Sequence, residues 1–557
     1  MLGSLLGLSV SIGAASYRRK FISQARRAQE VNDAFLAEVL LRNQGTAFGQ
    51  QHGFSRIATP RDYRAALPLT TYPDYEPYVD RIARGEPNVL TAEPVCHLGQ
   101  SSGTTGRQKL IPITRSAQRQ IALSMVFLVQ GMLDAALPGA GSRGRGLLMM
   151  SAGSSGRTAA GITMGSATSA GLSSMLRMSR WMWTTPADAM VLTDQPQVLH
   201  LHLLFALKER GLPYLSATFA SSIMDLFHLL ERDWPVLVDE LASGKLSPEL
   251  RVPEPARARL ERTLGACPER AREIRSGLER GMEGIARRLW PRLSHVNAVT
   301  GGSFAVYARK LRGYLGDVPL FSSVYASTEA LIGVGMALES TTYAVVPGAA
   351  YFELIPAGEV DSPSPSTVTL EEAAEGDSYE VVLTNRSGLY RYRLGDMVKV
   401  VGRYHRTPVV EFLYRRGQLL NLAAEKTSEQ AVLAALLEAS SAWGMPLVDF
   451  TTLADYDAAP ARYVFFVEVK DPAALARLPD AGATLDQALG RANPRYQVAR
   501  DTGRLGSPVL HPVQQDTFAQ VKGLLIRRGA SANQVKIPRV VSADDVIQLL
   551  RQKVLAR

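Results

Sequence analysis

Cysteine is nearly absent: 557 residues contain only Cys96 and Cys267, far apart in the chain. Two thiols cannot build a disulfide framework or a four-thiolate metal site. Such sparing use suits a reducing compartment, and a cytoplasmic location is expected. Long apolar runs are also missing. The most apolar stretch, MLGSLLGLSVSIGAAS at residues 1–16, falls short of the ~20 residues that span a bilayer. Its basic cluster, Tyr17-Arg18-Arg19-Lys20, follows the run, whereas a secretory signal carries such a cluster first. An amphipathic helix packed on the body is expected there, with contact to a membrane surface as the alternative and no stable insertion. There are no internal repeats, no G-x-x-x-x-G-K-[ST] phosphate loop and no H-E-x-x-H zinc motif, which disfavours an ordinary kinase or P-loop ATPase and excludes a zincin. The eight histidines are read as structural. The net charge is +10, from 62 Lys and Arg against 52 Asp and Glu, but the basic residues are scattered and mostly Arg. A nucleic-acid face needs a basic stripe, so no nucleic-acid partner is expected.

The remaining composition is that of a globular protein, 46% hydrophobic and 20% charged, and the length calls for two or more domains. Apolar residues recur at helical spacing between Phe21 and Phe48, as in Phe35, Leu36, Val39 and Leu40. Helical patterns dominate residues 115–295, broken by a Gly/Ser-rich stretch from Gly139 to Gly171. Residues 296–420 change to short β-rich runs such as VNAVTGG, GAAYFELIP, YEVVLTN and PVVEFLYRRG, separated by Gly, Pro and Asp. Beyond about 425 a helix, the strand ARYVFFVEVK and further helices form a compact mixed unit. The pattern predicts a large α/β body with a smaller α+β C-terminal domain.

Three clusters carry chemistry. In GQSSGTTGRQKLIPIT (Gly99 to Thr114), six small residues, Ser101-Ser102-Gly103-Thr104-Thr105-Gly106, offer backbone N–H groups and hydroxyls to an anion without bulk. Lys109 adds a cation, and LIPI predicts a strand. A second glycine-rich loop, SAGSSGRTAAG at 151–161, has no lysine and no clear strand after it, and reads as structural or substrate-side. In Val324-Tyr325-Ala326-Ser327-Thr328-Glu329, an aromatic ring, two hydroxyls and a carboxylate follow an apolar run. One carboxylate plus substrate phosphates is a common Mg²⁺ set. In YRYRLGD (Tyr390 to Asp396), a tight Gly-Asp turn could either hold a ribose diol or simply join two strands.

In this order, the clusters resemble the phosphate, Tyr-x-x-Thr-Glu and Gly-Asp elements of adenylate-forming enzymes. The longer strings TYPDYEPYVDRIARGE, TTPADAMVLTD, VTGGSFAVYARKL, GLYRYRLGDMVKVVGRY and RRGASANQVKIPRVV resemble the auxin-responsive Gretchen-Hagen-type acyl acid amido synthetases, over nearly the whole chain. That resemblance implies an α/β fold: a large multi-sheet N-terminal adenylation and acyl-acid domain (1–424), a hinge (425–430) and a small mobile α+β C-terminal domain (431–557). It implies ATP and Mg²⁺, and small-molecule carboxylic acid and amine or amino acid substrates. Ser101, Ser102, Gly103, Thr104 and Thr105 would cradle the phosphates. Gly301, Gly302 and Ser303 would wall the adenine, with Tyr325 nearby. Thr328 would meet the α-phosphate, Glu329 would hold the metal and Asp396 the ribose. Lys426 would sit at the hinge, and Lys536 would swing in as the mobile cation. One departure is Val535, where many relatives carry an aromatic residue before the lysine. The acid pocket is expected from helices between 115 and 240 and residues 325–336; Met175 to Trp183 is weighed as pocket or core. The alternative reading is an acyl-adenylate ligase that transfers to coenzyme A or a carrier thiol. An idle nucleotide-binding module is disfavoured by the intact Ser/Thr, Glu, Asp and Lys positions.

Overall fold

The computed structural model describes residues 2–100, 109–140, 144–152, 156–176, 179–416, 420, 422, 425, 427–528, 530, 535–541 and 543–555. Among these, one compact unit holds the chain up to Gln100, Leu110–Leu394 and Val398–Phe412. A second holds Lys109, Gly395–Met397 and the chain from Leu413 onward.

Three sheets build the first unit. In one, the strands Leu147–Met149, Tyr214–Phe219, His295–Val299 and Leu320–Phe321 lie side by side, all parallel. Parallel strands need crossover connections, which is what the helical stretch 115–295 supplies. The helices Gln195–Lys208 and Ala220–Ser243 bury Leu201, Leu204, Leu226 and Phe227 against Leu215 and Val296. His200 and His202 are part of this packing. His200 Nε2 lies 2.5 Å from Glu240, and His202 Nδ1 lies 2.8 Å from the Thr185 hydroxyl. Burial holds His202 down to about 4, so it is a neutral structural group.

The second sheet has seven strands, ordered Tyr351–Pro356, Ser378–Thr384, Tyr392–Tyr404, Thr407–Arg415, Thr342–Val345, Leu331–Gly335, Val324–Ala326. Its two faces feed two cores. Ala330 and Ile332 join Phe35, Tyr75 and Tyr390 on one side, while Leu331 joins Phe21 and Met132 on the other. That alternation is the period of a strand buried on both faces. A third sheet orders Leu110–Thr114, Val95–Gln100, Thr163–Gly165 and Gly156–Arg157. Within the string TYPDYEPYVDRIARGE, Tyr72–Ala83 is a helix started by a Thr71–Asp74 capping box.

The N-terminal helix, Leu2–Ala25, packs on this body. Ala14, Phe21 and Ala25 are buried at helical spacing, and Phe21 stacks on Tyr404 at 5.7 Å. The helix crosses Val129–Ala136 so closely that a Cβ on Gly131 would lie 2.5 Å from the Ala14 carbonyl oxygen. Among the described residues no helix is long and apolar enough to cross a membrane.

In the second unit Leu447–Asp455, Arg462–Val469 and Val509–Pro512 form a sheet, with Glu429–Ala442, Thr517–Arg527 and Asp544–Gln552 among its helices. Phe466, Val513, Phe518, Val546 and Leu550 form its core. Glu425 and Thr427, from the stretch expected as a hinge, make contacts within this unit. Thr427 pairs with Leu420, and Asn493 Nδ2 donates to the Glu425 carbonyl at 3.1 Å and to the Thr427 hydroxyl at 2.9 Å. Ser428 caps the helix that begins at Glu429.

Candidate functional site

In the first unit the Tyr-x-x-Thr-Glu element is a hairpin turn. Val324–Ala326 pairs antiparallel with Leu331–Gly335. The Ser327 N–H donates to the Ala330 carbonyl at 2.9 Å, while its hydroxyl accepts the Glu329 and Ala330 N–H groups at 3.2 and 3.3 Å. Asn385 Nδ2 donates to the Glu329 carbonyl at 2.9 Å, fixing the turn from outside. The turn's polar backbone is thus satisfied locally, which leaves the Glu329 carboxylate for other work. Among the described residues no Lys, Arg or His pairs with that carboxylate. A single half-buried carboxylate suits Mg²⁺ shared with phosphates, and no cluster of three or more metal-ligating side chains occurs among the described residues.

Gly99, near the end of the strand Val95–Gln100, lies against this turn. A Cβ there would come within 2.8 Å of Thr328 Cγ2 and 2.9 Å of Ile113 Cδ1. Only glycine permits that approach. The end of this strand and Thr328 are therefore neighbours within one unit.

The third wall is the Gly301–Gly302 segment. Gly302 takes φ +58, the left-handed region that favours glycine. A Cβ on it would face the Phe412 ring at 3.5 Å. Phe412 is 5.9 Å from the buried Tyr325 ring, which is 5.9 Å from Tyr343. Tyr343 Oη and the Ser322 hydroxyl are 2.6 Å apart, and Ser322 accepts the Thr300 N–H at 3.2 Å, tying the glycines to the sheet. Burial pushes the Tyr343 phenol up, so it is neutral. Phe412, Tyr343 and Asn385 were not singled out from the sequence. Aromatic residues in strands are common, and only the fold brings these beside the glycines and the turn.

A cleft opens beside Glu329, lined also by Ala117, Ile121, Ser124, Ala330 and Leu331. The helix that lines it carries a π-turn at Ser124–Leu128, a distortion found often at functional sites. Met175, Met182 and Trp183, weighed as pocket or core, pack with Leu172 and Met190 in a small core.

In the second unit Asp396 departs from the expected tight turn, because Gly395-Asp396 lies inside the long strand Tyr392–Tyr404. Gly395 takes φ +81, and its carbonyl accepts the Arg416 N–H at 2.6 Å. The glycine bends the strand locally rather than reversing it. Asp396 is only 2% exposed and receives Arg415 Nε at 2.5 Å. Lys536 stands in the field of the same pair. Loss of water around its ammonium pulls its pKa down to about 8, with Arg415 adding to the effect and Glu429 and Asp396 opposing it. The residue keeps an exposed flank, which softens the desolvation. Val535, in the position of the expected aromatic, is buried at 5% exposure beside it.

Ser101, Ser102, Gly103, Thr104, Thr105 and Lys426 lie outside the described residues, as does the side chain of Ser303. Gly301, Gly302, Tyr325, Thr328 and Glu329 fall in the first unit, and Asp396 and Lys536 in the second.

Three stretches match family models: residues 17–320 the GH3 family N-terminal domain, 343–415 its central domain and 430–545 its C-terminal domain. A jasmonoyl–L-amino acid synthetase of Nicotiana attenuata is 32% identical over 552 residues, covering 95% of this chain and 94% of its own. An indole-3-acetic acid-amido synthetase of Oryza sativa subsp. indica is 30% identical over 558 residues, with 94% and 90% covered. Among solved structures, a GH3.15 acyl acid amido synthetase superposes with a TM-score of 0.85 at 28% identity, over 96% of this chain and 95% of that one. The same kind of enzyme in complex with 2,4-DB gives 0.86 at 27% identity, over 97% and 96%.

Proposed function

The chain belongs to the GH3 family, and from that premise we infer that it is an ATP-dependent acyl acid amido synthetase, a ligase joining a carboxylic acid to an amino acid through an acyl adenylate. The observation that carries this is similarity to amide-forming synthetases along both chains from end to end, the C-terminal domain included. An amine cannot form an amide with a free carboxylate directly, because the oxide it would have to expel is a poor leaving group. One carboxylate oxygen attacks the α-phosphorus, pyrophosphate leaves, and the acyl carbon acquires AMP as its leaving group. The amine nitrogen then attacks that carbon, AMP departs and the amine loses a proton. Both steps depend on positioning and on neutralising charge as it develops.

Within that reading the roles are our assignment. Ser101 to Thr105 cradle the phosphates, and Thr328, held by its turn against Gly99, meets the α-phosphate. Gly301, Gly302 and Ser303 face the adenine with Tyr325 and Phe412, and Asp396 takes the ribose hydroxyls. Glu329 holds Mg²⁺, which when bound offsets phosphate charge. Lys536 supplies the mobile cation of the adenylation step, and Lys426 acts at a hinge over 425–430 between the domains 1–424 and 431–557. We place the acid near the small cleft beside Glu329, where Ile121, Ala330 and Leu331 stand beside the polar Gln120, Asn385 and Arg386. The relatives' names supply acids such as indole-3-acetic acid, and for this chain we propose a small, largely apolar carboxylic acid. The test is pyrophosphate release across a panel of carboxylic acids, then a screen of amino acids with the best acid. Acid-dependent release is expected, and release that no acid stimulates would contradict the assignment.

A further inference from the structure

Three residues beyond Lys536 the chain places an arginine where no surface reaction needs one. Arg539 is 4% exposed. Its Nη1 donates to Asp449 and to the Phe450 carbonyl, the latter at 2.6 Å, and its guanidinium lies 4.4 Å over the Phe450 ring. The backbone on either side is gripped as firmly. The Arg539 carbonyl accepts the Thr452 N–H at 2.9 Å and the Thr452 hydroxyl at 2.6 Å. The Pro538 carbonyl accepts the Thr451 hydroxyl, and the Val541 N–H donates to the Thr452 carbonyl at 2.7 Å. A segment without helix or strand of its own is thereby stitched to the edge of Leu447–Asp455.

Glu429 joins the two cations. It is 9% exposed, its Oε1 lies 3.9 Å from Arg539 Nε, and its charge also acts on the Lys536 ammonium. That Oε1 receives no hydrogen bond among the described atoms. A buried guanidinium is a costly way to hold a loop, because apolar residues of similar volume often stabilise a fold as well or better. Fixing one geometry is a use that a charged, directional group serves better.

We propose that Arg539 is the positioning residue for Lys536: it fixes the segment so that the lysine starts its stroke from one place, with Glu429 as the counter-charge shared by both cations. This rests on the reading of Lys536 as the adenylation cation. Lys536 would act in the transition state rather than in ATP binding, so displacing its anchor should lower kcat and leave KM for ATP in place. Misplacement by about 1 Å can cost on the order of 10²-fold.

The experiment is acid-dependent ATP–pyrophosphate exchange by the full-length enzyme across pH, beside thermal melts. Variants are Lys536→Ala, Arg539→Met, Arg539→Lys, Glu429→Gln and the pair Thr451→Val with Thr452→Val. Arg539→Met is expected to lower kcat at least tenfold with KM for ATP within twofold, on the scale of such misplacements. Arg539→Lys, which keeps a donor for Asp449, should recover part of the loss. Glu429→Gln should move the alkaline limb to lower pH, since its carboxylate favours the charged lysine. Should Arg539→Met not fold, the Thr pair, which removes two grips on the same segment, is read in its place. A folded variant of either kind with wild-type kcat, or with kcat and KM changed together, overturns the positioning role. An unmoved limb in Glu429→Gln overturns that residue's share. If Lys536→Ala itself exchanges at the wild-type rate, the reading of Lys536 fails first and the inference with it.

Discussion

The carboxylate of Asp396 is nearly sealed from water and already holds one guanidinium, that of Arg415. In the role we propose for it, this carboxylate would meet the ribose hydroxyls from a position already fixed by Arg415. Asp396→Ala should therefore raise the ATP requirement, because two charge-assisted hydrogen bonds worth roughly 1.5–3 kcal/mol each are lost. Titrating ATP against the folded variant checks this, and an unchanged ATP affinity would remove the ribose role. Lys536 predicts a pH dependence. Its pKa lies below the ordinary lysine value, displaced to about 8. The charge is thus full below that value and lost above it, and adenylation should decline as pH rises through that range. Lys536→Arg, whose charge does not titrate there, should flatten the decline, as pyrophosphate exchange from pH 6.5 to 9.5 would reveal. At this scale the sequence was legible wherever a residue type had a narrow use. Thr328, Glu329 and the paired glycines stood out as candidates, while Arg415, Arg539 and Phe412 did not, since arginine and phenylalanine serve many purposes and only packing selects one.

Among the elements, the hairpin at Glu329 and the strand Val95–Gln100 meet at one glycine. Gly99→Ala would drive a methyl into Thr328 and Ile113. Relief requires the Thr328 and Ile113 side chains to move aside, and because Thr328 is the group we assign to the α-phosphate, adenylation should fall. Overpacking of this kind costs about 1–3 kcal/mol, which predicts a measurable drop in denaturation midpoint as well. A variant with wild-type exchange kinetics would show that the close approach has no functional part. The N-terminal helix offers a control remote from the chemistry. Gly131→Ala would clash with the Ala14 carbonyl and should lower the denaturation midpoint while leaving KM for ATP unchanged. The β-rich runs after residue 296 were readable because Gly, Pro and Asp punctuate them. The strands at Leu147–Met149 and Tyr214–Phe219 were not. Each is short, apolar and flanked by helices, and a buried parallel strand shows no alternation to betray it. Gly395 misled in the opposite direction: a Gly-Asp pair usually marks a reversal, but here the glycine's positive φ bends a strand that continues to Tyr404.

For the molecule as a whole, the α/β body and the α+β C-terminal part were foreseeable from the change in pattern along the chain. The family similarity runs through both. Composition could not supply the reaction, because nothing in charge or cysteine content separates a ligase that makes amides from one that makes thioesters. The central claim is the identity of the acceptor. Direct attack by an amine on the adenylate needs only a positioned neutral nitrogen. The most direct measurement is mass spectrometry of reactions that contain ATP, Mg²⁺ and a competent acid, with either coenzyme A or a mixture of amino acids. The account predicts acyl-AMP without an acceptor and an acyl amide once amino acids are present. A thioester as the dominant product, with no amide formed, would contradict it.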